Sequence, residues 1–274
     1  MPCSLQLRKT RVHEVQSLIL EWFLGHHRDL PWRKTTDPYA ILVSEIMLQQ
    51  TQVSRIIPKF EAFLVEFPSA QTLADSSPAA VITAWKGLGY NRRALNLQRA
   101  ASIMTNEHGG TLPPDLVAIR ALPGVGRYTA GAIMNFAFNI DTPAVDVNVE
   151  RFIDHFFPAR AKRSANDYYA IAEKLMPAGQ ARVWLHAVMD YTSANLRARA
   201  KNTTKPTEPF VGSNRYFRGR MLDILRERTT SPDALFTAIG APLDLPRKRF
   251  DALLEALERE GFIHRSGSEL ALRS

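Results

Sequence analysis

Apolar residues recur at three- and four-residue spacing along most of the chain, and alternating runs long enough for strands are nearly absent before residue 260. The pattern predicts an all-α fold of short helices. Asp37 can cap a helix that starts at Pro38 and turns Ile41, Leu42, Ile46 and Met47 inward, with Glu45 among them. Further helices are predicted over 52–67, 78–86, 92–107, 114–121, 128–138, 147–157, 166–175 and 181–197. Residues 202–213 hold two prolines, three threonines and a glycine and read as a linker that closes a main domain of residues 1–201. Beyond it the pattern predicts helices over 214–228, 231–239 and 246–260, then a two-stranded ribbon around Gly267. Three helices and a ribbon suggest a small winged-helix-like module over 214–274; an extension that only completes the core is the other reading.

With 274 residues, 45% hydrophobic content and no run of eighteen apolar residues, the chain can bury one large core or two smaller ones and has no membrane span. Its polar first eleven residues lack the apolar stretch of a signal peptide. The single cysteine, Cys3, excludes an internal disulfide and a four-cysteine metal site, which points to a reducing cytoplasm. A net charge of +8 and a pI near 9.8 point to a polyanionic partner. From Arg197 to Arg220 there are seven basic residues (Arg197, Arg199, Lys201, Lys205, Arg215, Arg218, Arg220) against one acid, Glu208. This stretch reads either as a phosphate-facing surface or as a solvated charged linker.

The densest chemical signal is Leu122-Pro123-Gly124-Val125-Gly126-Arg127-Tyr128-Thr129-Ala130-Gly131. Pro123 closes one helix, Gly124 and Gly126 permit a tight turn, and the amides of Val125 to Tyr128 open the next helix without intrahelical partners. Such an N-terminus attracts phosphate, although an ordinary helical corner has the same sequence. In Val145-Asp146-Val147-Asn148-Val149, Asp146 stands fifteen residues after Gly131 and sets a carboxylate at the start of another helix, where amides and dipole favour its ionised form; a simple cap is the alternative. Glu45, on an apolar helix face, is expected to hold its proton through desolvation, unless it faces solvent.

Together with Asp29-Leu30-Pro31-Trp32-Arg33, Ser44-Glu45-Ile46-Met47-Leu48-Gln49-Gln50-Thr51 and Gly87-Leu88-Gly89-Tyr90, these motifs resemble the helix-hairpin-helix (HhH-GPD, endonuclease III superfamily) DNA glycosylases. The resemblance covers roughly residues 12–200 and is strongest to the MutY-type adenine glycosylases. It implies a two-lobed helical fold, and a monomer in the cytoplasm, associated with the nucleoid, that acts on double-stranded DNA holding a mismatch or lesion. The target nucleotide is flipped out of the stack and its N-glycosidic bond hydrolysed. Glu45 and Asp146 correspond to the catalytic pair, with Tyr128 and Asn148 in support. Trp32, Arg33, Leu48 and His186 fall on base-pocket positions, Trp32 and Arg33 reading equally as a buried anchor and a surface cation. Gln49, Gln50 and Leu48 fall on the wedge that fills the gap in the stack, with Tyr90 as a second inserted group and Thr51 also on a DNA-binding position, and Gly124, Val125, Gly126, Arg127, Tyr128 and Thr129 form the DNA-binding hairpin. For Gln49 and Gln50 the residues alone also fit polar groups at a helix end. A Na+ or K+ held by main-chain carbonyls of Arg120, Leu122 and Val125 is also implied, and no other cofactor is required. Relatives that also cut the strand place a lysine at the position of Tyr128; tyrosine cannot form a Schiff base, so a monofunctional enzyme is expected.

Three departures matter. Where relatives carry four cysteines for an iron-sulfur cluster, this chain reads Ala194-Asn195-Leu196-Arg197-Ala198-Arg199-Ala200-Lys201, so the cluster is absent. The tail does not resemble the C-terminal domain that reads 8-oxoguanine in MutY, and that domain is expected to be missing. His186 stands where Gln or Glu commonly faces the adenine. The expected substrate is adenine opposite 8-oxoguanine or guanine; thymine or uracil opposite guanine is the alternative, and a non-catalytic structure-specific DNA-binding protein is the reading from a different class.

Overall fold

The structure is a computed structural model and describes residues 7–159, 161–196 and 209–274. The described helices are α1 (Lys9–His26), α2 (Pro38–Leu48), α3 (Val53–Glu66), α4 (Ala70–Asp75), α5 (Pro78–Ala84), α6 (Arg92–His108), α7 (Leu116–Ala121), α8 (Arg127–Phe138), α9 (Val147–Phe156), α10 (Ala165–Leu175), α11 (Ala181–Asn195), α12 (Asn214–Leu225), α13 (Pro232–Ile239) and α14 (Arg247–Arg259). One antiparallel ribbon follows, β1 (Ile263–Ser266) paired with β2 (Glu269–Leu272) in the register Ile263 to Leu272. The all-α expectation holds. Periodicity did not single out α1 or the short α4, which starts on a reciprocal cap between Ser69 and Thr72.

Two compact units make up the chain, each assembled from two stretches that are distant in sequence. The first combines residues 1–61 with 103–200, and the second combines 62–102 with 201–274. In the first unit α2 is buried on every side from Tyr39 to Met47, and it packs on α8, which is buried from Thr129 to Ala137. The Asp37 side chain starts α2 by accepting from the amides of Tyr39 (3.1 Å) and Ala40 (3.2 Å), with Pro38 in the first turn. A helix buried all round makes a charged residue within it costly, and Glu45 is that residue.

The second unit has its own core. Ile82 and Leu95 from the middle of the chain are buried together with Phe217, Met221, Leu225, Phe250, Leu254, Leu257 and Phe262 from the C-terminal stretch. Arg226 donates to the Ile82 carbonyl at 3.1 Å, and the Ala79 amide donates to the Arg273 carbonyl at 2.8 Å. The tail has the expected three helices and ribbon, and a further bridge ties Thr230 to Leu270. The expected boundary at residue 201 is therefore redrawn: residues 62–102 share their core with the tail, because Ile82 and Leu95 need apolar partners that the tail supplies. Of the expected linker 202–213, residues 202–208 lie outside the described residues, as do Cys3, Arg197, Arg199, Lys201 and Lys205.

Candidate active site

Glu45, Tyr128 and Asp146 meet within the first unit. Glu45 is only 5% exposed, and among the described residues its carboxyl makes no hydrogen bond. Burial, and next the charge of Asp146, push its pKa up from 4.5 to about 8. Tyr128, half-buried in the first turn of α8, is raised well above its ordinary value by burial, then by Glu45 and Asp146. Asp146 caps α9: its Oδ1 accepts from the amides of Asn148 (2.8 Å) and Val149 (2.9 Å), and its Oδ2 from the Asn148 side chain (2.7 Å). The expectation that these amides would favour the ionised form is corrected in its balance: burial raises Asp146, and the three hydrogen bonds only oppose that shift. The carboxyl with those donors is the one that gives up its proton first, so the pair shares a proton that resides on Glu45.

Gly131 and Tyr169 are positioning residues that the sequence reading missed. A Cβ on Gly131 would lie 2.7 Å from the Pro143 carbonyl oxygen and 3.1 Å from the Ala144 Cβ, so α8 packs directly on the irregular segment leading to Asp146. The Tyr169 side chain hydrogen-bonds the backbone of Val145, one residue before Asp146. The Arg127 guanidinium lies 3.4 Å above the Tyr169 ring and donates to Asn166 at 2.8 Å. A glycine inside a helix, against the propensity of that helix, was the available signal for the first; Tyr169 carried none.

The hairpin differs from expectation in one donor. The Val125 amide is consumed by the Leu122 carbonyl at 3.1 Å, because Gly124 at φ 83° turns the chain back on itself, and α8 begins at Arg127, one residue before its predicted start. Gly126 caps α8 without a side-chain acceptor, which leaves the amides of Arg127, Tyr128 and Thr129 as the free helix start. Gln49 donates its side-chain amide to the Gly124 carbonyl at 3.1 Å and approaches the Thr129 hydroxyl at 3.5 Å. Gln50 is exposed in the left-handed region at φ 55°, Leu48 is half-buried, and the Thr51 amide donates to the Leu48 carbonyl at 3.4 Å. The carbonyls of Arg120 and Val125 accept no hydrogen bond among the described residues, while that of Leu122 receives Val125; hard oxygen donors of this kind fit a monovalent cation. Among the described residues no group of three His, Cys, Asp or Glu side chains is placed to hold a metal ion.

A second polar cluster surrounds Asp190. Arg33 holds the carboxylate with both terminal nitrogens, at 2.7 and 2.8 Å, and Arg28 adds its side chain at 2.6 Å and its amide at 3.0 Å. Burial alone raises Asp190, yet these donors keep its pKa below the ordinary value. His186 stacks on Phe136 with centroids 4.2 Å apart, and burial followed by the charge of Arg33 lowers its pKa to about 3, so the ring is neutral at physiological pH. Of the two readings left open for Trp32 and Arg33, both side chains prove anchored: Trp32 is 5% exposed, edge-on to Phe60, and Arg33 is committed to Asp190. Tyr90 belongs to the second unit, where it is 40% exposed at φ 48° and accepts from Arg215 at 2.5 Å.

The adenine DNA glycosylase of Mycolicibacterium smegmatis is 34% identical over 77% of this chain and 80% of its own length. The profile of HhH-GPD superfamily base excision DNA repair proteins matches residues 43–178. The chain belongs to the HhH-GPD superfamily. The match spans Glu45, Tyr128, Asp146 and Asn148, whereas Trp32, Arg33 and His186 lie outside it. The adenine DNA glycosylase of Mycobacterium tuberculosis is 30% identical over 93% of this chain and 91% of its own length. A solved thermostable thymine-DNA glycosylase superposes with a TM-score of 0.64 and 31% identity, over 68% of this chain and 87% of that one. An endonuclease III–DNA complex shares the fold at a TM-score of 0.62 and 19% identity, over 71% and 90% of the two chains. This HhH-GPD chain is thus a DNA N-glycosylase of the endonuclease III fold.

Proposed function

We propose that the protein is a monofunctional adenine glycosylase that removes adenine mispaired with guanine or 8-oxoguanine and leaves an abasic site. The observation that carries the mechanism is the proton held on buried Glu45 beside Asp146. Glu45 donates it to a nitrogen of the flipped-out base as the C1'–N bond breaks, and the bonding pair leaves with the base. The Asp146 carboxylate faces the positive charge that develops at C1'. Water then adds to C1' and returns a proton to Glu45, which balances the cycle. Tyr128 occupies the position of a Schiff-base lysine and offers no amine, so strand cleavage does not follow.

Adenine is favoured by relatives that span 77% and 93% of this chain and bear adenine glycosylase names. Thymine or uracil opposite guanine is the second reading, supported by a thymine/uracil-DNA glycosylase of Methanothermobacter thermautotrophicus at 33% identity over 65% of this chain. The free amides at the start of α8 would hold a backbone phosphate of the duplex, and the enzyme would act as a monomer. Among the described residues no helix is long and apolar enough to cross a membrane, which is compatible with work on the nucleoid. A cation at the hairpin carbonyls would only brace the turn.

The test is base release from duplexes holding A opposite 8-oxoguanine, A opposite G, T opposite G and U opposite G, with alkali added to reveal abasic sites. Adenine release that is lost in Asp146→Asn with duplex binding retained is expected. Release of thymine or uracil alone sinks the adenine assignment, and release of nothing from any duplex leaves a DNA-binding protein.

A further inference from the structure

The second unit carries a cleft of about 460 Å3 lined by Arg92, Leu95, Arg99, Arg259 and Glu260. Its two walls come from stretches far apart in sequence. Arg92 and Arg99 stand seven residues apart on α6, so they project from one face with Leu95 between them, and Leu95 is anchored in the core beneath. Arg259 and Glu260 close the opposite side at the end of α14. The one acid is already satisfied, because Arg218 grips Glu260 through two hydrogen bonds of 2.8 and 2.7 Å. Four guanidinium groups therefore gather around a single carboxylate. Arg92, Arg99 and Arg259 are exposed, and none makes a hydrogen bond or ion pair among the described residues.

Arg92 and Arg259 also act on Glu260 through charge, but one carboxylate already gripped by Arg218 leaves most of the positive charge of four guanidiniums unbalanced, and a planar fork donor suits phosphate oxygens. Arginines that only solvate a surface have no need to converge. We propose that this cleft binds backbone phosphates of duplex DNA, as a site separate from the hairpin amides and built only when the tail packs against residues 62–102. The choice of DNA as the polyanion rests on the reading of the chain as a DNA glycosylase; the anion site itself rests on the arginines. Glu260 serves it indirectly by holding Arg218 in place, with the Arg218 guanidinium 5.8 Å from the Phe262 ring centroid.

The experiment is a fluorescence-anisotropy titration of an undamaged duplex between about 50 and 200 mM salt, the range over which phosphate neutralisation dominates affinity. The triple variant Arg92→Gln, Arg99→Gln, Arg259→Gln is compared with the wild type and with a control, Arg8→Gln, Lys9→Gln, Lys162→Gln, which removes equal charge from exposed positions of the first unit. The cleft variant is expected to flatten the log–log salt slope by about 0.9 for each phosphate it no longer neutralises, and by more than the control does. Equal flattening in both triples, or no change in the cleft variant, overturns the proposal. The single Arg99→Gln variant serves if the triple unfolds, with the expected flattening reduced to that of about one phosphate. Base release at saturating enzyme reads the catalytic assignment separately: a wild type that binds duplex in this manner but releases no base refutes the glycosylase and leaves the cleft standing.

Discussion

Two carboxyl groups of the first unit are buried to nearly the same degree and have opposite fates. Asp190 is surrounded by four donors from Arg28 and Arg33, and its pKa is held down. Glu45 has no donor among the described residues and sits near another carboxyl, and its pKa is driven up to about 8. One site is a clamp that ties the Arg28–Arg33 segment to α11; the other holds a transferable proton at a cost in stability. A buried carboxyl that the fold leaves without donors is the stronger sign of chemistry, since nothing structural offsets its desolvation.

The largest effect that tests this contrast is kinetic. Glu45→Gln should lower single-turnover base release by about 10²- to 10⁴-fold, the usual contribution of a general acid, with duplex affinity unchanged. Asp190→Asn should act on the other axis and destabilise the fold by about 3–5 kcal/mol in denaturant titrations, because it strands two arginines without their counter-charge. If Asp190→Asn leaves stability intact and abolishes base release, the division between clamp and proton store is wrong. Gly131→Ala should cost about 1–3 kcal/mol through its collision with the Pro143 carbonyl, and should also slow base release by shifting the segment that ends in Asp146.

The smallest effect is a difference in pH dependence. Glu45 has a folded-state pKa above its ordinary 4.5, so the folded protein binds the extra proton. Its contribution is fully favourable below 4.5 and is lost as the pH rises through about 8, and base release should fall over the same upper range. Asp190 is depressed, so its contribution is present above the ordinary carboxylate range and is lost as the pH falls through its folded value. The melting temperature of Glu45→Gln minus that of the wild type should therefore grow from pH 5 to pH 9; a constant difference would mean that Glu45 is not desolvated.

Residues with local signatures were legible in sequence. Asp37 before Pro38 announces the start of α2, Gly124 announces a positive φ, and the apolar neighbours of Glu45 announce burial. The donors to Asp190 were not legible, because Arg28 and Arg33 lie more than 150 positions from it and no periodicity encodes such a pairing. The balance at Asp146 failed for a related reason: its amide donors are local and visible, whereas the burial that outweighs them comes from tertiary packing. The tail's elements were readable from periodicity, but their partnership with residues 62–102 was not, since an apolar stripe does not name the surface it covers.

That partnership sets a timetable for biosynthesis. Ser102 leaves the ribosome more than 100 residues ahead of α12, so at roughly 5–20 residues per second the middle stretch waits on the order of ten seconds for its other half. During that interval Ile82 and Leu95 have no permanent cover, and a nascent chain stalled before residue 214 would present them to chaperones and proteases. A stop codon in the tail would therefore do more than delete a module: it would leave the middle of the protein permanently in the state it otherwise passes through during synthesis.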